Sequence, residues 1–226
     1  MAIPVLVLGR SGSGKTYSLK NFKPSEVGIL SVEKGRLPFK SELKVVKVKS
    51  YNDGEHTPAQ ANAARYSWIE SAIKSCKMKS VVVDDSQYLL ANELFDRAYE
   101  KGYDKFVCIA ANFRGLIHSI NEMEEEDKIV YFLHHSELDA DGREKVKTIG
   151  KMLDEKLCIE GCFDIVLFCQ NQKFFTQANG QSVAKSPEGM FELEIPNDLK
   201  AVDDAIREYY GLKTEAKKDN KNKEDK

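Results

Sequence analysis

Short apolar runs alternate with longer segments of helical periodicity along most of this chain. The apolar residues in the runs are consecutive rather than alternating, which is typical of strands buried on both faces. Six runs predict such strands, at residues 4–8, 27–32, 44–48, 80–85, 128–135 and 163–170. Between them, apolar residues three and four positions apart predict helices that start near residue 15 and cover residues 59–76, 87–102, 106–123, 149–159 and 198–210. This order predicts an α/β fold with a mostly parallel central sheet and helices on both faces.

The C-terminal part of the chain follows a different pattern. Asn179-Gly180 lies between short apolar segments and predicts the tight turn of a β-hairpin. A chain of 226 residues suffices for one well-packed core, so residues 1–211 are predicted to form a single domain. Ala216 is the one apolar residue after position 212, and residues 212–226 are therefore predicted to be a disordered charged tail.

Composition narrows the class of protein. The formal net charge of -2 excludes a generally basic nucleic-acid binder, although it leaves room for a local basic patch. The apolar N-terminal stretch lacks a basic leader and is too short to span a membrane, so no signal peptide or anchor is predicted. Five scattered cysteines, several of them in apolar runs, favour the reducing cytoplasm.

Residues 9–16, with the sequence GRSGSGKT, match the pattern G-x-x-x-x-G-K-[ST] directly after a predicted strand. Its glycines allow successive backbone N–H groups to point at phosphate oxygens. We expect Lys15 to neutralise the β- and γ-phosphates of ATP and Thr16 to bind Mg²⁺. The predicted nucleotide contacts are Gly9, Arg10, Ser11, Gly12, Ser13, Gly14, Lys15, Thr16 and Tyr17.

A run of valines that ends in Asp84 and Asp85 supplies a second acidic element. At the carboxyl end of a central strand, Asp84 is expected to lie beside the phosphate loop and hold the Mg²⁺ shell. The alternative interpretation is that Asp84 caps the following helix, although Ser86 or Asp85 could do so as well.

With this order of parts, the chain resembles RecA-like recombination ATPases. More closely, it resembles small RecA-core ATP-binding proteins of phages that act with single-strand annealing. The resemblance implies that Glu33, at the end of the strand after the phosphate loop, activates the attacking water; Asp85 is the rival base. It also implies a γ-phosphate sensor at His134, with His135 as second choice.

The resemblance further implies contacts outside the nucleotide site. Residues 136–148 match a mobile loop that binds single-stranded DNA, with Arg143, Lys145 and Lys147 close together, although a solvated lid is the simpler interpretation. Lys185 matches a hairpin lysine that enters the ATP site of a neighbouring subunit in a homo-oligomer. A single-strand-binding or annealing protein is an expected partner. Filament formation as in full RecA proteins is not expected, because few residues precede Gly9.

The sequence thus predicts a Mg-ATP-dependent ATPase that acts on single-stranded DNA in phage recombination or repair. One alternative is a nucleotide-switched loader or adaptor of a replicative helicase. A small-molecule kinase is less favoured, because the seven arginines form no cluster suited to a lid.

Overall fold

In the computed structural model, residues 1–33, 35–51, 54–150 and 158–212 are described. The strands are β1 (Ile3–Gly9), β2 (Val27–Ser31), β3 (Val45–Lys47), β4 (Ser80–Asp84), β5 (Ile129–Leu138), β6 (Glu144–Val146), β7 (Ile165–Gln170), β8 (Lys173–Phe175) and β9 (Glu194–Pro196). The α-helices are α1 (Pro58–Ser75), α2 (Gln87–Asp96), α3 (Asp104–Asn121) and α4 (Leu199–Tyr210), and 3-10 helices cover Thr16–Asn21 and Ile159–Cys162.

The strands form one sheet in the order β3-β2-β4-β5-β1-β7-β8-β9, and β6 pairs with β5 outside this row. The six strands from β3 to β7 in this order are all parallel to their neighbours, whereas β8 and β9 pair antiparallel. The α/β fold with a mostly parallel sheet is therefore confirmed. The carboxyl ends of the parallel strands meet at one edge of the sheet, where such sheets bind ligands.

Two apolar clusters cover the two faces of the sheet. On one face, Ile69 of α1, Leu90 of α2 and Phe113 of α3 pack against the strands. On the other face, Leu19 of the first 3-10 helix and Ile206 of α4 pack against the alternate residues of the same strands. Within the part of the chain that the structure describes, no helix combines the length and the apolar character that crossing a membrane requires.

Several elements differ from the sequence prediction. The helix predicted to begin near Lys15 is a six-residue 3-10 helix, in which the N–H of Ser18 lies near the carbonyls of both Gly14 and Lys15. The helix predicted at 87–102 ends earlier, at Asp96. Most of the helix predicted at 149–159 and nearly all of the tail predicted at 212–226 lie outside the described residues.

A buried polar network attaches α4 to the sheet. The Asp203 carboxylate accepts hydrogen bonds from the hydroxyls of Ser80 (2.6 Å) and Tyr131 (2.9 Å). Arg207, one helical turn later, donates to Asp203 at 2.7 Å and to the Ser80 hydroxyl at 2.9 Å. Both side chains of this ion pair are about 95% buried. A buried charge that loses its partner is costly, so α4 depends on this pair for its position.

We expect Arg207→Ala to lower the free energy of unfolding by about 3 kcal/mol, because it leaves the Asp203 carboxylate buried without a cation. Urea denaturation measures this loss. Lys200→Ala is a matched control, since it breaks an ion pair of the same spacing on α4, with Asp204, whose side chain is 55% exposed. The control should lose less than about 1 kcal/mol. Equal losses of unfolding free energy in the two variants would contradict the claim that burial makes the Arg207–Asp203 pair important.

Candidate functional site

The loop of residues 9–16 joins the end of β1 to the first 3-10 helix, and two of its positions have no room for a side chain. Gly14 has φ +106°, and a Cβ there would lie 2.5 Å from Nδ2 of Asn197. At Gly9 a Cβ would lie 2.6 Å from the carbonyl oxygen of Cys169 on the neighbouring strand. Only glycine fits these two positions without displacing its neighbours, so the loop is held in a narrow turn against β7.

The Lys15 side chain folds back over the loop that carries it. Its Nζ donates to the carbonyl oxygen of Gly9 at 2.7 Å and to that of Arg10 at 3.0 Å. The residue is only 6% exposed. An ammonium group is therefore held inside the loop, with its charge at the place where the phosphate oxygens of a nucleotide would bind.

Thr16 and Asp84 meet across the edge of the sheet. The Thr16 hydroxyl donates to Oδ1 of Asp84 at 3.0 Å, although 68 residues separate them in sequence. Burial raises the pKa of Asp84 to about 6, and the neighbouring charge of Asp85 contributes to this shift. The hydrogen bond from Thr16 acts in the opposite direction and lowers the pKa. A hydroxyl and a buried carboxylate oxygen are hard donors that suit Mg²⁺, which takes its other ligands from water and phosphate. The pair therefore fits a magnesium ion that accompanies a nucleotide.

Asp85 and His135 also line the cavity that borders the phosphate loop. Asp85 has φ +60°, a left-handed conformation that is uncommon outside glycine and that Asp and Asn tolerate best. Nε2 of His135, on β5, lies 3.4 Å from Oδ1 of Asp85. This turn of the backbone directs the second acidic side chain into the cavity, where it can orient a water molecule.

His134, predicted as the sensor, lies in the interior instead. It is fully buried, and its Nε2 lies 2.9 Å from the carbonyl of Lys147. Because burial lowers the pKa of His134 to about 3, its ring is neutral at pH 7. Nε2 then donates to the carbonyl, and Nδ1 accepts from the Ser86 hydroxyl at 2.9 Å. Ser86 uses its side chain in this contact and does not cap α2.

The cavity beside the phosphate loop has a volume of about 350 Å³. Its lining combines the loop, the acidic strand end and a segment that follows β2: Ser11, Gly12, Gly14, Lys15, Thr16, Tyr17, Arg36, Pro38, Asp84, Asp85, His135 and Gln172. Three of these residues are not predicted from the sequence as site residues: Arg36, Pro38 and Gln172. Arg36 and Pro38 lie in an irregular segment, and Gln172 in the β7–β8 turn, so no periodicity marks them.

Two other residues, to which the resemblance assigns catalytic roles, lie away from this cavity. Glu33 is exposed, lines a separate cavity of about 270 Å³, and lies 3.5 Å from Nδ2 of Asn92. Lys185 forms two main-chain hydrogen bonds with Val166 and lines a third cavity. Neither residue is among those that the structure brings together around the phosphate loop within one chain.

The segment 136–148 forms an antiparallel hairpin between β5 and β6. Arg143 pairs with Asp139 and Asp141, each at 3.0 Å, so part of its basic charge is balanced within the turn. Glu144 of the same hairpin is buried and pairs with Arg10 at 2.6 Å. The hairpin is thereby attached to the phosphate loop through the exposed side chain of Arg10.

The burial of neutral His134 predicts a pH dependence of stability. Its pKa is lower in the folded protein than the unfolded value near 6.5, so its stabilising contribution is present above that pH and is lost as the pH falls toward 3. Between pH 7 and pH 5 we expect wild type to lose about 2 kcal/mol more stability than His134→Gln. Urea denaturation at both pH values measures the difference, and effects of other groups, including Asp84, cancel between the two proteins. Equal losses would contradict the assignment.

Comparisons with known proteins complete the description of the site. No protein-family model and no curated protein matches this chain. One solved structure, described as a prototypical ATPase from the type III secretion system of pathogenic bacteria, aligns with a TM-score of 0.39 and 10% sequence identity. The alignment covers 74% of this chain and 50% of that chain, so this chain spans about half the length of the solved structure. A likeness this remote assigns neither an activity nor a partner.

Proposed function

We propose that this protein binds Mg-ATP at the phosphate loop and hydrolyses it. The observation that carries the proposal is the 3.0 Å contact between Thr16 and Asp84, which joins the loop to the acidic end of β4. A glycine-rich loop, a buried lysine and a carboxylate at this position are the parts that phosphoryl transfer needs. The motif and the three-dimensional arrangement support the same chemistry independently.

The residues have distinct tasks in the proposed reaction. Backbone N–H groups of the loop and the Lys15 ammonium bind the phosphate oxygens and balance the charge that develops on them. Mg²⁺, held by Thr16 and Asp84, would neutralise charge on the β- and γ-phosphates. Asp85, with His135 beside it, orients a water molecule and accepts its proton. As the water oxygen bonds to the γ-phosphorus, the bond to the bridging oxygen breaks, and ADP leaves with the electron pair.

Phosphate release from ATP by the purified protein tests this proposal, with Lys15→Ala as the loss-of-function variant. We expect Mg²⁺-dependent turnover in wild type and no ATP binding in Lys15→Ala, because the ammonium is the only lysine charge among the described residues that line the cavity. The folded state of Lys15→Ala is checked by thermal denaturation. Wild type that neither binds nor hydrolyses ATP would refute the proposal.

A second pair of variants distinguishes the two candidate bases. Asp85→Asn should lower turnover by about 10²- to 10⁴-fold while ATP affinity changes little, since asparagine also tolerates the left-handed backbone. Glu33→Gln should retain activity within about threefold, because Glu33 faces a different cavity. Steady-state kinetics of both variants measure this. The reverse result would favour Glu33, as the resemblance to RecA-like ATPases implies.

We extend the proposal to single-stranded DNA as the effector of turnover, in a role in phage recombination. The support is the resemblance of residues 136–148 to a DNA-binding loop and the exposed side chain of Lys147 within them. The balanced charges of Arg143 weigh against a strong contact there. A homo-oligomer with Lys185 reaching a neighbouring site, and a single-strand-binding or annealing partner, belong to the same proposal.

The effect of single-stranded DNA on turnover tests this extension. We expect DNA to stimulate ATP turnover in wild type. Lys147→Glu should bind DNA more weakly, and the dependence of its DNA affinity on salt concentration should fall by the equivalent of about one phosphate contact. Lys23→Glu, which reverses another exposed charge, is the matched control. Unchanged turnover on addition of DNA would remove this effector. Persistent ATP binding without turnover in the presence of DNA would favour a nucleotide-switched helicase loader instead.

A further inference from the structure

Arg36 lines the cavity beside the phosphate loop, and the proposed hydrolysis assigns it no role. It belongs to the segment between β2 and β3 and lines the cavity together with Lys15, Asp84 and Asp85. The side chain is exposed. A cation in this position faces the space that a nucleotide's phosphates would fill.

The segment that carries Arg36 is held in place by the apolar contacts of its neighbours. Leu37 and Phe39 pack against the core cluster of the second sheet face, and Leu43 is buried in it. The Phe39 ring also contacts the ring of Tyr17 edge-on, with centroids 5.9 Å apart. Since Tyr17 directly follows Thr16, these contacts fix the Arg36 segment relative to the phosphate loop.

Among the residues described, Arg36 and Arg114 are the two arginines without an ion pair, and of these two only Arg36 lines the cavity. Carboxylates of the chain pair with the other arginines: Arg10, Arg65, Arg97, Arg143 and Arg207. Arg36 forms no ion pair with any residue that the structure describes, although Asp84 and Asp85 line the same cavity. Within the part of the chain that the structure describes, its guanidinium is therefore available to an external anion.

A second cation balances the charge of the cavity lining. Lys15 lines the cavity together with two carboxylates, Asp84 and Asp85, so without Arg36 the lining would be net negative, and Mg-ATP is itself an anion. An arginine suits this task because its planar fork can donate two parallel hydrogen bonds to phosphate oxygens. The additional charge of ATP over ADP lies on the terminal phosphate, where such a contact discriminates most.

We propose that Arg36 contacts the terminal phosphate of the nucleoside triphosphate bound in its own subunit. This inference rests on the proposed ATPase function and makes Arg36 a catalytic residue acting in cis. The contact is additional to Lys185, the cation that the resemblance assigns to a neighbouring subunit.

Three variants test the contact. Arg36→Ala should lower turnover at saturating ATP by about 10²- to 10³-fold, with ATP binding weakened about tenfold and ADP binding unchanged. Arg36→Lys should recover part of the loss, because it restores the charge without the fork. Arg114→Ala is the matched control: it removes another exposed arginine, on α3, that forms no ion pair with the residues described and lies outside this cavity. Equal weakening of ATP and ADP would overturn a contact with the terminal phosphate.

Mixing two inactive variants distinguishes action in cis from action in trans. Lys15→Ala keeps Arg36, and Arg36→Ala keeps an intact phosphate loop. If Arg36 acts within its own subunit, the mixture remains as inactive as the separate proteins at every ratio. Recovery of turnover in the mixture would overturn the cis assignment.

Failure of the inference is separable from failure of the proposed function. Wild type without ATP turnover would remove the function itself. Wild type that hydrolyses ATP, together with Arg36→Ala that turns over as fast as Arg114→Ala, would overturn the role of Arg36 alone.

Discussion

The structure of the site depends on the two hydrogen bonds that the Lys15 ammonium donates to the carbonyls of Gly9 and Arg10. A buried ammonium requires such partners, since burial without them is costly. These bonds hold the loop closed around a positive charge. Phosphate oxygens are stronger acceptors for this group than carbonyls, so a bound nucleotide can replace the contacts while the loop keeps its shape.

The order of the strands brings the other groups to this charge. Because β5 lies between β1 and β4, its residue His135 reaches the cavity that the phosphate loop and Asp84 line. Side chains alternate between the two faces along β5, so two adjacent histidines point in different directions. His134 points into the core and holds Ser86, whereas His135 points into the cavity toward Asp85. The left-handed backbone at Asp85 lets both consecutive carboxylates line one cavity, which regular strand geometry would prevent.

Much of the fold and the centre of the site could be predicted from sequence because their signals are local. Consecutive valines predict a buried strand, and the spacing of residues 9–16 predicts a phosphate loop whatever surrounds it. The direction of a side chain beyond a strand end is not local: Glu33 and Asp85 both follow strands, yet only Asp85 lines the cavity. Arg36 belongs to no sequence motif, and its position depends on where Leu37 and Phe39 pack against the core.

A crystal structure with Mg²⁺ and a non-hydrolysable ATP analogue would show directly whether this loop binds a nucleotide. We expect the Lys15 ammonium within about 3 Å of β- and γ-phosphate oxygens, and the metal ion between Thr16 and Asp84. An analogue bound elsewhere, with Lys15 still donating to the carbonyls of Gly9 and Arg10, would contradict the claim that this loop is a nucleotide site.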